Sequence, residues 1–313
     1  MKFNQKIFVS STSFSTNEVL RNELLSFFPN TVFNSDKHLT EDDFVKELEN
    51  CEGLIVGLDR VDKKILLSHP QLSIVSKFGV GLDNIDLKIC ASHGVEVGWS
   101  AGTNKDDVAE HTLGLMIGIC RRIFEKQIEL KNGFWKKNGG ESLSEITVGI
   151  IGLGNIGKSL AHFLSFFGAK ILIHDLVYDE EICHDLKLVK STKEEILKNA
   201  DIISLHIPLT HETHHYISQT EFSLMKKESW LINTSRGKNV DCHALKYALE
   251  NKLIAGAALD VFEEEPCHDI ELFSFSNLIV TPHIAGNSKR AVLAMGRSSI
   301  EHLVKHFEKK GIS

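Results

Sequence analysis

Residues 149–157 read GIIGLGNIG, and Gly152, Gly154 and Gly157 stand in the spacing G-x-G-x-x-G. The apolar run TVGIIG leads into them and KSLAHFLSFFG follows, so the glycines sit at a strand-to-helix turn. Each then has a task. Gly152 permits the tight turn, Gly154 lets backbone approach a pyrophosphate, and Gly157 lets helix and strand pack closely. The first helical turn, with Asn155 and Ile156, adds free N–H groups and the positive end of the helix dipole for phosphate. The next strand, KILIHD, ends in Asp175, eighteen positions after Gly157. An acid at that place accepts from both ribose hydroxyls and repels a 2′-phosphate, which favours NAD over NADP. A glycine turn before a helix is common by itself; strand, glycines, helix and acid in register are much more specific.

Two further stretches invite chemistry. ALDVFEEEP (258–266) holds three consecutive glutamates before a proline. Such a run is usually a solvated turn. If the segment is extended, Glu263 and Glu265 share one face and Glu264 the other, and Pro266 biases Glu265 toward extended backbone. Alternation leaves the choice between 263 and 265 open. HETHH (211–215) matches H-E-x-x-H, a zinc-peptidase pattern that works only on a helix, where both histidines share a face. Here it follows the strand-like SLHIPLT. In a chain with 16 histidines, a chance match is the better reading, so no metal is expected.

The elements that must position these groups alternate strand and helix from end to end, predicting parallel sheets covered by helices: an α/β fold of two Rossmann-like doubly wound domains, the first flavodoxin-like. The length, 313 residues, allows two cores of ordinary size. KIFVS (6–10), GLIVGL (53–58), LSIVSKF (72–78) and VEVGW (95–99) read as strands of a first series, with helices over 17–28 and, behind a Thr40 cap, 40–50. SAGTNKDD (100–107) reads as a hinge into a long helix, 106–122, whose Gly114 and Gly118 suit close packing. A second series begins at 147 and runs to NLIVTPHI (277–284). The closing helix, 288–310, has no strand left to cover there and suits a return to the first domain. The expected boundaries are 1–101 with 287–313, and 102–286. Net charge −7 offers no basic field for nucleic acid or an anionic membrane. No apolar run is long enough for a signal peptide or a span, and six dispersed cysteines make no disulfide framework, which points to a reduced, cytoplasmic protein.

Taken together, KFGVGLDNID (77–86), DDVAEHTLGLM (106–116), GIIGLGNIG (149–157), LHIPLTHET (205–213), INTSRG (232–237), ALDVFEEEP (258–266) and TPHIAG (281–286) resemble, in this order, the D-2-hydroxyacid dehydrogenase family, closest to its phosphoglycerate dehydrogenase-like members. The resemblance covers nearly the whole chain. It implies a catalytic trio of Arg236, Glu265 and His283, and so selects Glu265 from the glutamate run. It implies that backbone N–H groups of Val80 and Gly81 bind the substrate carboxylate, that Asp260 reaches the nicotinamide carboxamide, and that His206, Pro208, Thr234 and Ser235 line the cofactor site. The first domain is then the substrate-binding one and the second the NAD-binding one, in a homodimer with helix 106–122 near its interface.

The chemistry suits such a trio. A hydride leaves or reaches C2 of a small 2-hydroxy or 2-keto acid while histidine takes or gives the hydroxyl proton. A carboxylate on the other ring nitrogen selects the tautomer, and a guanidinium grips the substrate carboxylate. A 3-phosphoglycerate-like acid is the first expectation for substrate; glyoxylate or hydroxypyruvate is the second. An NAD(H)-sensing, corepressor-like binding protein on the same scaffold is the alternative of another class. Lys77 could serve a second anionic group, although an exposed lysine is the simpler reading, and Asp83 or Asn84 suits a cap for the next helix. Val80 and Glu265 stand where phosphite- and formate-oxidising relatives carry Lys and Gln, which disfavours those reactions. One departure bears on the pocket: relatives commonly have a Thr-Pro turn where this chain has WSAGTN (99–104).

Overall fold

The computed structural model describes residues 2–34 and 39–311. They form two compact units, residues 1–104 with 287–313, and residues 105–286. Each is built on a parallel sheet.

In the first unit the strands are β1 (Ile7–Val9), β2 (Thr31–Phe33), β3 (Gly53–Val56), β4 (Ile74–Lys77) and β5 (Glu96–Gly98), in the order β2-β1-β3-β4-β5. This is the flavodoxin-like winding. β1, β3 and β4 are buried along their whole length, as sheet strands covered on both faces must be. The helices start on side-chain caps that satisfy end N–H groups: Asn17 accepts from Leu20 N at 3.1 Å, and Thr40 from Asp43 N at 3.1 Å. The closing helix, Lys289–Lys309, lies on this sheet. Its Phe307 has no exposed surface and meets the rings of Phe3 and Phe28 at centroid distances of 6.2 and 5.7 Å.

The second unit carries β6 (Thr147–Ile151), β7 (Lys170–His174), β8 (Val189–Lys190), β9 (Ile202–Leu205), β10 (Trp230–Asn233), β11 (Gly256–Leu259) and β12 (Leu278–Val280), in the order β12-β11-β10-β9-β6-β7-β8. Chain order reverses at β6, which lies between β7 and β9. In open sheets of this kind, ligands lie beyond the carboxyl ends of strands at that reversal. The loops after β6, β9, β10, β11 and β12 carry the glycine turn, His206, Arg236, Glu265 and His283 respectively.

Several local expectations need correction. The helix foreseen over 106–122 runs from Lys105 to Cys120, two residues short of the expected end, and Arg122, in the left-handed region at φ 52°, parts it from a further helix, Ile123–Lys131. Gly118 permits close packing within that pair, since a Cβ there would lie 2.2 Å from the Phe124 ring, whereas Gly114 faces open space. Asp83 and Asn84 do not cap the next helix; Asp86 does, accepting from Ile89 N at 3.0 Å. Residues 211–215 form turns, as expected, so H-E-x-x-H lacks the helix it requires.

Phe307→Ala should destabilise the first unit by about 3–5 kcal/mol, the usual cost of emptying a buried aromatic site. Urea unfolding followed by circular dichroism reads this directly; a loss under about 1 kcal/mol would mean that the helix contributes little to that core.

Candidate active site

The glycine turn is built for a dinucleotide. Gly152 sits at φ 99°, and a Cβ there would lie 2.5 Å from the His206 carbonyl oxygen. A Cβ on Gly157 would lie 2.0 Å from the carbonyl oxygen of Gly152. Both contacts are with backbone, so neither residue can be anything larger. Gly154 has no neighbour within 4 Å of a built Cβ and leaves its backbone bare on the open side. It opens the helix Asn155–Phe166, whose N-terminus has no side-chain cap. Those end N–H groups are the ones a phosphate satisfies. A cleft of about 450 Å³ beside the turn is lined by Leu153, Gly154, Asn155, Lys158, Asp175, Val177, Tyr178 and Asp179. The Asp175 carboxylate stands over it, accepting from Leu153 N with one oxygen and from Val177 N, at 3.1 Å, with the other. A bare glycine backbone, an uncapped helix start and an acid on one cleft fit the pyrophosphate and adenine ribose of NAD.

The residues of the expected trio lie on the later loops of the same sheet. His283 Nδ1 and Glu265 Oε2 are 2.6 Å apart. The side chains are 35% and 24% exposed, open enough to meet a substrate. Burial pushes the Glu265 carboxyl up, but the His283 bond and charge, the Phe262 N–H and the charge of Arg236 together hold it below the ordinary value of 4.5. Glu265 is therefore an anion at neutral pH, and Arg236 is near enough to act on it. Arg236 follows β10 and turns Nη1 onto the Ser235 carbonyl at 2.7 Å. The trio is thus brought together electrostatically, with the Glu–His contact direct.

Strand alternation does not govern the glutamate run. β11 stops at Leu259 and residues 263–266 form bends. The bend turns Glu265 back so that Oε1 accepts from Phe262 N at 3.0 Å while Oε2 meets His283. Glu263 is no free surface charge: its Oε1 accepts from Cys242 N, at the start of the helix Cys242–Glu250, at 2.8 Å and lies 3.3 Å from His215 Nε2. Glu264 is exposed.

Asp260 is fully buried. It accepts from Thr281 Oγ1 at 2.5 Å, Ile284 N at 2.9 Å and Ala285 N at 2.8 Å, and its own carbonyl accepts from His283 N at 2.8 Å. His283 is held at φ 51°, a left-handed conformation uncommon outside glycine. This loop clamp, with His111 Nε2 3.2 Å from Thr281 Oγ1, was not foreseen. The one signal for it is the polar-then-proline spelling TPH, which marks a turn but not its partners.

His206 Nε2 meets Ser204 Oγ at 2.8 Å, while its Nδ1 is buried with no partner. Burial pushes the imidazole down to about 4, so the ring is neutral. Pro208 is exposed beside it. Thr234 and Ser235 are buried, with Thr234 Oγ1 3.0 Å from Thr112 Oγ1 and Ser235 Oγ donating to Asn233 Oδ1 at 2.7 Å.

In the first unit, Val80 and Gly81 form the crown of the loop after β4. Lys77 is not an exposed lysine. It is 5% exposed, and its ammonium donates to the Gly57 carbonyl and to Asn84 Oδ1, at 2.5 and 2.7 Å. The last residue of a covered interior strand points its long side chain into the fold, and carbonyl oxygens accept its N–H bonds.

Fold and site together define a dinucleotide-dependent dehydrogenase, and the comparisons say which. A sequence model of the D-isomer specific 2-hydroxyacid dehydrogenase, NAD binding domain, matches residues 113–285. A glyoxylate reductase of Thermococcus litoralis is 38% identical over 269 residues, 83% of this chain and 81% of that one. Among solved structures, the D-lactate dehydrogenase of Aquifex aeolicus with NAD and lactic acid superposes with a TM-score of 0.85 at 30% identity, over 97% of this chain and 96% of that one. An NADPH-dependent glyoxylate/hydroxypyruvate reductase of Sinorhizobium meliloti, with NADP and malonate, gives 0.83 at 29% identity over 97% and 94%. The chain belongs to the D-isomer specific 2-hydroxyacid dehydrogenase family. It is an NAD-dependent oxidoreductase acting on the CH–OH group of a small 2-hydroxy acid or its keto form. No helix among the described residues is long and apolar enough to cross a membrane.

Asp175→Ala should narrow the preference for NADH over NADPH by about tenfold, because the group that distinguishes a ribose hydroxyl from a phosphate is gone. Paired kcat/KM values for the two coenzymes read the ratio, and an unchanged ratio would place the ribose elsewhere.

Proposed function

We propose that the chain reduces a short 2-keto acid of the glyoxylate or hydroxypyruvate type to the corresponding 2-hydroxy acid with NADH. The observation that carries the reading is the 2.6 Å Glu265–His283 pair, with Arg236 acting on the same carboxylate. The choice of acid draws on the glyoxylate reductases among its relatives. A 3-phosphoglycerate-like acid, the first expectation, loses ground to them. It also loses the cation that Lys77 would have offered a phosphate, since that ammonium is committed to Gly57 and Asn84 inside the fold.

Bound NADH supplies the hydride. The chain supplies the rest. Arg236 holds the substrate carboxylate and draws electron density from the adjacent carbonyl. The N–H groups of Val80 and Gly81 take the carboxylate from the first unit. His283 gives its Nε2 proton to the keto oxygen as C2 becomes tetrahedral, and Glu265, on Nδ1, selects the ring orientation and favours the charged imidazole. In the oxidative direction the same nitrogen takes the hydroxyl proton. Asp260 holds the loop that carries His283, and a homodimer completes the proposal.

His283→Gln should lower kcat for glyoxylate about 10²–10⁴-fold, with NADH affinity within about twofold; stopped-flow turnover and NADH fluorescence titration check the two halves, and wild-type-like turnover would sink the assignment. Glu265→Gln makes a separate expectation. A neutral amide no longer favours the charged imidazole, which reduction needs as its proton donor. Reductive kcat should therefore fall about tenfold or more, with NADH affinity within about twofold. Unchanged turnover would mean that the pair has no part in proton transfer.

A further inference from the structure

The crown of the loop after β4 is a peptide between two glycine-flanked positions. Gly79 sits at φ 128°, a conformation open essentially to glycine, and Gly81 follows Val80. Among the described residues, neither the Val80 nor the Gly81 N–H has an acceptor within the protein. A peptide so flanked rotates with little steric resistance. The feet of the loop are held from beneath: Asn84 Nδ2 donates to the carbonyls of Gly57 and Asp59 at 3.1 and 2.6 Å, and Lys77 donates to Asn84 Oδ1. Those bonds do not reach the crown.

One side chain does. β4 and β5 pair in parallel with Ser76 opposite Gly98, so Trp99 leaves β5 beside the point where β4 enters the loop. Trp99 Nε1 donates to the Val80 carbonyl at 2.8 Å. The carbonyl of Val80 and the N–H of Gly81 belong to one planar trans peptide and point in opposite directions. Anchoring the oxygen therefore aims the N–H, and a hydrogen bond on a carbonyl also strengthens its own N–H as a donor. The indole is 39% exposed, so it is not buried there as a packing residue alone.

We propose that Trp99 is a positioning residue for substrate: it locks the Val80–Gly81 peptide so that the Gly81 N–H is presented to the substrate carboxylate. This rests on the proposed reduction of a 2-keto acid and deepens it. Trp99 stands where relatives commonly place a Thr-Pro turn, and neither of those residues can donate from a side-chain ring.

The test is Trp99→Phe in the full chain, with Trp99→Leu as a second variant that is likewise apolar and has no side-chain donor. Loss of one neutral hydrogen bond should raise KM for glyoxylate about three- to tenfold, with kcat within about twofold. Inhibition by oxalate, which carries the carboxylate but cannot be reduced, should weaken by the same factor. The dissociation constant for NADH and the thermal midpoint should not move, which separates aimed binding from general loosening. Unchanged KM and unchanged oxalate inhibition in either folded variant overturn the proposal while the reductase reading stands. A fall in kcat and NADH affinity without a carboxylate-specific loss overturns it too. A wild-type protein that reduces no 2-keto acid removes the reductase reading and this proposal with it.

Discussion

A single buried carboxyl group organises the loop that carries His283. Burying an anion is costly unless donors meet it, and Asp260, with no exposed surface, is met by a hydroxyl and two backbone N–H groups from Thr281, Ile284 and Ala285. Its backbone joins in, taking the His283 N–H. Four bonds from one residue thus close a five-residue loop onto the end of β11. The loop has no freedom to relax His283 out of its left-handed backbone, a conformation that costs roughly 1–2 kcal/mol for a residue with a Cβ. The imidazole is thereby aimed at Glu265. That glutamate is in turn held by its own bond back to Phe262, so both partners of the pair are located by backbone before they find one another.

This arrangement explains what could be read from sequence and what could not. The doubly wound sheets were legible, because parallel strands covered on both faces appear as uninterrupted apolar runs, and the glycine turn was legible because its constraints are local. Gly152 and Gly157 each face a backbone carbonyl, so their identity is dictated within a few residues. The pairing of Glu265 with His283 was legible only through resemblance. Nothing local distinguishes Glu263 from Glu265 once the segment is a bend and not a strand. The distinction comes from partners 21 residues upstream for Glu263, at Cys242, and 18 residues downstream for Glu265, at His283. Lys77 misled for a related reason. Lysine is usually exposed, and only the assembled sheet shows that this one has carbonyls waiting inside.

The two halves of the second unit's site are stiff for different reasons. At the glycine turn, stiffness is steric: Gly152 and Gly157 stand where any side chain would strike backbone, and the uncapped N–H groups project from a regular helix. At the reacting end, stiffness is polar, since every member of the trio or its support is held by hydrogen bonds to backbone. Steric constraint tolerates no substitution but needs no partner. Polar constraint depends on partners far along the chain and fails when one is lost.

The role of Asp260 follows from counting donors. An ionised carboxylate offers about four lone-pair directions. Thr281 Oγ1 and Ile284 N occupy Oδ1, and Ala285 N occupies one direction on Oδ2. One direction on Oδ2 is left for a further donor. A contact made there would leave all three loop bonds intact, whereas a contact made through Oδ1 would have to displace Thr281 or Ile284 and release the loop that carries His283. The clamp therefore leaves Oδ2 as the one carboxylate oxygen with room for another partner, and the protein holds that clamp in place with its own groups.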